Sequence, residues 1–380
     1  MYTNSKLPKV GTTIFSVMSA LANEHKAINL SQGFPNFDCS DKLKKLVNKY
    51  IEKGYNQYAP MPGVPLLRER IAQKIEASYG AAIDPGTEIT ITAGATQAIF
   101  TAIAAFIQPR DEVIIFEPAY DSYRPSIEVF GGFPIVYQLE APDYSINWDV
   151  FSRLITQRTR MIIINTPHNP TGTTLKKADL LKLQQLTDGS EILILSDEVY
   201  EHLIFDGEKH QSILRFPKLF QRTLATYSFG KTFHNTGWKI GYLVAPENLM
   251  KEFRKVHQFN VFSVNTPLQY GIADFLSDPE EYLGLSNFYQ EKRDYFLEVI
   301  KKSRFKPIHC EGTYFQLVDY SAISAEKDKT FVKRLTVDHG VAAIPVSAFY
   351  SNPRNDRVIR FCFAKTEKLL KKAGKLLSKV

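Results

Sequence analysis

The sequence predicts an α/β fold in two parts, and three observations predict it. From about residue 41 to residue 260, helical patterns alternate with short apolar runs. Several runs are apolar throughout rather than alternating, as expected of strands covered by helices on both faces. After about residue 280 the rhythm changes, and 380 residues are too many for one ordinary core. The expectation is a mostly parallel seven-stranded sheet between helices, residues 41–284, and a smaller α+β unit. The smaller unit takes residues 285–380 and is joined by the N-terminal arm, residues 1–40.

Within the arm, a short helix is expected at about Ile14 to Glu24, followed by Ser31-Gln32-Gly33-Phe34-Pro35-Asn36-Phe37. The strands of the large sheet are predicted at Glu88–Thr92, Glu112–Phe116, Ile135–Gln138, Met161–Asn165, Ile192–Ser196, Thr223–Tyr227 and Ile240–Val244. A long helical stretch, Glu281 to Lys302, leads to an extended segment at Gly312–Tyr320 and a helix near Lys329–Asp338. Strands near Val341–Ile344 and Arg357–Phe363 and a final helix complete the chain. There is no internal repeat and no low-complexity segment.

Composition excludes several functions. Hydrophobic content of 44% and charged content of 23% suit a soluble globular protein. The apolar-rich stretch from Ala93 to Pro109 contains Thr96, Gln97, Thr101 and Gln108, and is too short and too polar to span a bilayer. Lys6 and Lys9 precede no apolar segment, so no signal peptide is read. The net charge of +7 comes from scattered lysines without interleaved aromatics, apart from Lys365 to Lys379. That C-terminal stretch reads as an amphipathic helix with a solvated basic face, and no nucleic-acid partner is expected. Cys39, Cys310 and Cys362 form no CxxC spacing, which favours a reducing, cytoplasmic location and argues against a metal site.

Chemistry concentrates at the ends of the apolar runs. Lys231 follows Thr223–Tyr227 directly, Asp197 ends Glu191–Ser196, and Asn169 follows Met161–Asn165. Gly230-Lys231-Thr232 mimics the end of a phosphate-binding P-loop, but Ala225 stands where that loop needs glycine. No G-x-G-x-x-G follows a strand and no H-E-x-x-H occurs. A lysine, an aspartate and an asparagine on one rim of a sheet suit a Schiff-base cofactor, with lysine holding the aldehyde and aspartate pairing with a ring nitrogen.

Four segments carry a resemblance across essentially the whole chain. They are Asn165–Gly172, Ser196-Asp197-Glu198-Val199-Tyr200, Ser228-Phe229-Gly230-Lys231 with Gly237–Gly241, and Arg360-Phe361-Cys362-Phe363. Together, in this order, they resemble the class I/II aminotransferases of pyridoxal-phosphate (PLP) fold type I. Lys6-Leu7-Pro8, Gly11–Phe15 and Ser31–Pro35 place the resemblance nearest the methionine and kynurenine/glutamine aminotransferase groups.

The resemblance implies roles for named residues. Lys231 would bind PLP covalently and shuttle the substrate proton, and Asp197 would keep the pyridine nitrogen protonated. Tyr200 and Asn169 would hydrogen-bond the ring hydroxyl, and Tyr120 would stack on the ring. The phosphate would meet the backbone N–H groups of Ala95 and Thr96 at a helix start, the Ser228 hydroxyl and the Lys239 charge. Tyr58 would reach the phosphate of a neighbouring subunit, which implies a homodimer. Arg360 would clamp the substrate carboxylate, helped by Asn169 and the Gly33 N–H. Phe15, with Phe262 donated by the partner, would wall the side-chain pocket.

No second arginine matches one that would bind a distal carboxylate. The substrates implied are therefore methionine, aromatic amino acids or glutamine, with a 2-oxo acid as acceptor, in a ping-pong reaction. The alternative is kynurenine transamination or β-elimination of cysteine conjugates on the same fold.

Overall fold

The computed structural model describes residues 4–380. Strand β1 is Ile28–Asn29, and β2 to β8 are Ile89–Thr92, Glu112–Glu117, Phe133–Gln138, Thr159–Asn165, Leu193–Asp197, Thr223–Ser228 and Gly241–Val244. The last seven form one sheet in the order β2-β8-β7-β6-β5-β3-β4. Only β8 runs antiparallel to its neighbours. All seven strands predicted for this sheet are present, each within about two residues of its expected ends.

The uninterrupted apolar runs are explained by two cores, one on each sheet face. Val113, Ile115, Met161, Ile163 and Leu195 pack into one core, and Ile114, Phe116, Ile162, Ile164 and Ile194 into the other. Because strand side chains alternate, a strand buried on both faces is dominated by apolar residues, and the few polar ones, such as Thr90, Thr223 and Thr226, are small and buried with them. The helix Ala95–Phe106 covers the first face with Ala98, Ile99, Ala102, Ile103 and Phe106, a stripe at helical spacing.

The C-terminal part of the chain adds β9 (Lys306–Pro307), β10 (Phe315–Asp319), β11 (Val341–Ala342), β12 (Ile344–Pro345) and β13 (Val358–Cys362). Four of them form an antiparallel sheet ordered β12-β13-β10-β9, while β11 pairs in parallel with β1. The strand expected near Val341–Ile344 is therefore two strands in two sheets, because the chain changes partners at Ala343. The helical stretch expected over Glu281 to Lys302 is also divided. It forms Glu280–Leu283 and Leu285–Ile300, interrupted at Gly284, a residue of low helix propensity. The arm helix is found at Ile14–Glu24. Among the described residues, no helix is long and apolar enough to cross a membrane.

Candidate active site

The carboxyl ends of the parallel strands deliver the key side chains, as is usual for ligand sites in such sheets. β6 ends on Asp197, β7 runs into the one-turn helix Phe229–Thr232 that carries Lys231, and β5 ends on Asn165. Asn165 joins two of these ends. Its Nδ2 donates to the Asp197 carbonyl at 2.8 Å, and its Oδ1 accepts from the Asn169 backbone N–H at 2.8 Å.

A cavity of about 310 Å³ opens at this rim. Lys231, Asp197, Tyr200, Asn169 and Arg360 line it, as do Phe15, Gly33, Ala95, Thr96, Tyr120, Ser228 and Lys239. A larger cleft of about 800 Å³ lies between residues 139–146 and 306–311. It shares only Asn165 with the smaller cavity and holds none of the predicted site residues, so chemistry rather than size selects the site.

Electrostatics differ from one end of the cavity to the other. Burial pushes the Asp197 carboxyl up to about 6, although the Tyr123 hydroxyl donates to Oδ2 at 2.6 Å and the Val199 N–H to Oδ1 at 3.3 Å. Burial, aided by the charges of Arg360 and Lys239, pushes the Lys231 amine down to about 8. Its neutral, nucleophilic form is thus accessible near neutral pH. Tyr200 is buried, and its phenol is held above the ordinary range by that burial.

Opposite Asp197 stands a cationic end. The helix Ala95–Phe106 begins here, and its first N–H groups have no intrahelical partners. Its N-cap, Gly94, has φ 79°, a conformation that favours glycine. A Cβ at Gly94 would lie 3.6 Å from the Lys239 amine, so this ammonium sits beside the helix start. At the helix start, the Tyr120 hydroxyl meets Thr96 Oγ1 at 3.2 Å. The donor set suits a flat aromatic group with a protonated ring nitrogen at Asp197 and a phosphate at the helix start.

Arg360 is 1% exposed, and burial lowers its pKa to about 10, which leaves it charged. Nη1 donates to Asn169 Oδ1 at 2.6 Å. The guanidinium stacks on Phe315 at 3.7 Å, with the Phe349 and Phe15 rings at 5.2 and 5.4 Å. Its Nε is buried without a partner. A buried cation with an unused donor beside an empty volume is prepared for a carboxylate.

Two predicted residues are elsewhere. Tyr58 and Phe262 are 80% and 50% exposed, lie edge to face at 5.2 Å, and do not line this chain's cavity. Conversely, sequence reasoning missed Tyr123 and Phe315. Tyr314 was missed too, although Lys231 Nζ donates to its hydroxyl at 2.8 Å. Tyrosines and phenylalanines in apolar stretches read as core, and these are also core. Tyr123 lies three residues from Tyr120, the one sequence cue to it.

A doubly wound sheet with a half-buried amine and a buried carboxylate and guanidinium around one cavity defines an enzyme with an amino-acid-sized site. The profile of the family "Aminotransferase class I and II" matches residues 25–376. The chain belongs to that family and is a transaminase. It is 51% identical over 374 residues to the methionine aminotransferase of Escherichia coli K12, covering 98% of this chain and 97% of that protein. A solved structure of an Escherichia coli methionine aminotransferase superposes with a TM-score of 0.98 at 50% identity, each chain fully covered. Human kynurenine–oxoglutarate transaminase 1 is 33% identical, covering 94% of this chain and 93% of that protein.

Proposed function

We propose that the protein is a PLP-dependent aminotransferase of methionine, aromatic amino acids and glutamine, acting by two half-reactions on amino acid and 2-oxo acid. The observation that carries this reading is the Lys231 amine, half-buried with its pKa lowered, in one cavity with Asp197 and Arg360. The identity to a methionine aminotransferase favours that donor class. In this reading residues 41–284 hold the floor of the site, and residues 1–40 with 285–380 cover it.

Lys231, Asp197, Tyr120, Tyr200 and Asn169 would hold the cofactor ring. Ser228, Lys239 and the N–H groups of Ala95 and Thr96 would hold its phosphate, with Tyr58 of the partner subunit. When bound, PLP supplies a cationic ring that spreads negative charge from the substrate Cα. The chain does the rest. Arg360 fixes the α-carboxylate, helped by Asn169 and the Gly33 N–H, so the Cα–H bond faces Lys231. The Lys231 amine would take that proton and pass it on, so that one nitrogen serves first as base and then as acid. The phenylalanines around Arg360 exclude water from the ion pair.

A turnover screen of twenty amino acids against several 2-oxo acids tests the reading. Transamination converts the visible absorbance without releasing pyruvate from a cysteine conjugate, whereas a lyase releases it. Cytoplasmic location is part of the proposal, supported by three unpaired, buried cysteines.

Specificity follows from the walls. Among the described residues lining the cavity, Arg360 is the single arginine. Aspartate should be a poor donor, because its second carboxylate would lose water without gaining a cation. Arg360→Lys should weaken all amino acids by about 1.5–3 kcal/mol, the scale of a charged hydrogen bond. Phe15→Ala should lower kcat/KM for methionine and phenylalanine more than for alanine. Equal losses for alanine and methionine would remove Phe15 from the pocket.

Dimer formation is supported by the exposed aromatics Tyr58, Phe262 and Phe259, the last 86% exposed. Tyr58→Phe chains mixed with Lys231→Ala chains should regain activity, because one site of each hybrid is then intact. Failure to regain it after verified subunit exchange would assign Tyr58 to its own subunit's site.

A further inference from the structure

Lys231 does not stand alone in its cavity. Its Nζ donates to the Tyr314 hydroxyl at 2.8 Å and to the Gly33 carbonyl at 3.2 Å. The Tyr314 hydroxyl donates its own proton to that same carbonyl. A phenol has one proton, and here it is committed to Gly33, so the oxygen meets the amine as an acceptor. Burial keeps this phenol well above its ordinary pKa, and it stays a phenol. Tyr314 is fully buried and packs edge to face on Phe315 and on Tyr200, at 4.8 and 5.2 Å.

Gly33 belongs to the strap Ser31–Phe34, which is fastened to the site on several sides. The Phe315 ring lies so close that a Cβ at Gly33 would come within 2.8 Å of it. Lys365 Nζ donates to the Phe34 carbonyl at 2.7 Å, and Arg360 Nη2 reaches the Ser31 carbonyl at 3.5 Å. The strap therefore touches both the carboxylate-binding arginine and the amine.

We propose that Tyr314 is a further catalytic residue. Its hydroxyl is the acceptor that holds the Lys231 amine whenever a substrate has displaced that amine from the cofactor, and its bond to Gly33 ties this state to the strap. The inference rests on Lys231 being the cofactor-bearing lysine. A neutral amine has two hydrogens and one lone pair. With the hydrogens taken by Tyr314 and Gly33, the lone pair is the one free position on the nitrogen, which is the position a base needs. It accepts the substrate Cα proton to become an ammonium, while the C–H electron pair stays on the substrate. The new ammonium keeps both acceptors, so the fastening survives the transfer.

Tyr314→Phe tests this, since it keeps the ring, its packing and the Lys231–Gly33 contact, and removes one oxygen. Two ligands are titrated into the PLP-loaded enzyme and followed by absorbance and competition. α-Methylmethionine carries an amino group that displaces lysine and lacks the Cα hydrogen, so it stops there. 4-(Methylthio)butanoate has the same chain and carboxylate but no amine, so lysine stays in place. The dissociation constant for the first should rise about tenfold in Tyr314→Phe, the scale of one hydrogen bond to a charged or strongly polar group. That for the second should change less than twofold.

Hydrogen exchange over residues 28–36 should slow on adding α-methylmethionine to the unsubstituted enzyme and not to the variant. Equal weakening of both ligands would make Tyr314 a packing residue, and no weakening of either would remove it from the reaction; both results overturn the proposal. If borohydride reduction and peptide mapping placed the cofactor on another lysine, the assignment of Lys231 itself would fall, and this proposal with it.

Discussion

Lys231→Ala is expected to lose turnover by roughly four orders of magnitude or more, because one residue supplies both the covalent attachment and the proton transfer. The variant should still retain PLP noncovalently through Asp197, Tyr120 and the Lys239 end of the cavity, with an absorbance that no longer reports a lysine bond. The chain contains another buried lysine that serves as an internal control. Lys74 is 4% exposed, and burial lowers its pKa as it does that of Lys231. Its ammonium is already bonded to Glu201 at 2.5 Å and to the Tyr242 hydroxyl at 3.1 Å, away from the cavity. Burial alone therefore does not select the reactive amine, and neither does the lack of a carboxylate partner, since Lys365 is 2% exposed and bonded only to backbone carbonyls; Lys231 is the one of the three that lines the cavity. Borohydride reduction followed by peptide mapping should find the cofactor on the peptide containing Lys231. A label on Lys74 or any other lysine would refute the assignment.

Much of this site was legible because its residues sit where strands stop. A strand buried on both faces is an apolar run, and a polar residue at its end breaks the pattern. Asp197, Asn169 and Lys231 are all announced in this way, each following an apolar run. The two-residue strands Ile28–Asn29, Val341–Ala342 and Lys306–Pro307 carry no periodicity, since two residues cannot show a period of two. Their pairing depends on contacts distant in sequence, such as the Cys362 N–H on the Leu30 carbonyl at 2.8 Å.

Tyr314 and Tyr123 were hidden for a different reason. Each puts a ring into the core and a hydroxyl onto a site residue, and only the ring leaves a mark in an apolar stretch. Tyr58 and Phe262 were read from resemblance alone. In the single chain they are two exposed aromatics in contact, and their assignment belongs with the dimer proposal.

Asp197→Asn should cut the rate of Cα proton removal by about two to three orders of magnitude, or roughly 3–4 kcal/mol of barrier. A carboxylate stabilises a protonated ring nitrogen, and a neutral amide cannot. The fold should tolerate the change, because an asparagine Oδ1 can still accept from the Tyr123 hydroxyl that now lies 2.6 Å from Asp197. Stability of the cofactor-free protein separates this role from that of a structural end of β6. Burial raises the Asp197 carboxyl from 3.8 to about 6 in the folded chain. For such a group the stabilising contribution is complete below the unfolded pKa and is lost as pH rises through the folded one. Relative to the unsubstituted protein, cofactor-free Asp197→Asn should therefore gain stability between pH 4 and pH 6 and hold the gain at pH 8. The size is on the order of 2–3 kcal/mol at most. Loading with PLP should reverse that order at pH 8, since a cation beside the carboxylate removes the penalty of its burial. Thermal melts at pH 5 and pH 8, with and without PLP, together with single-turnover rates at pH 8, measure both halves. A variant with near-normal single-turnover rates and no crossing of stabilities on loading would leave Asp197 as a structural end of β6 and not the partner of a ring nitrogen.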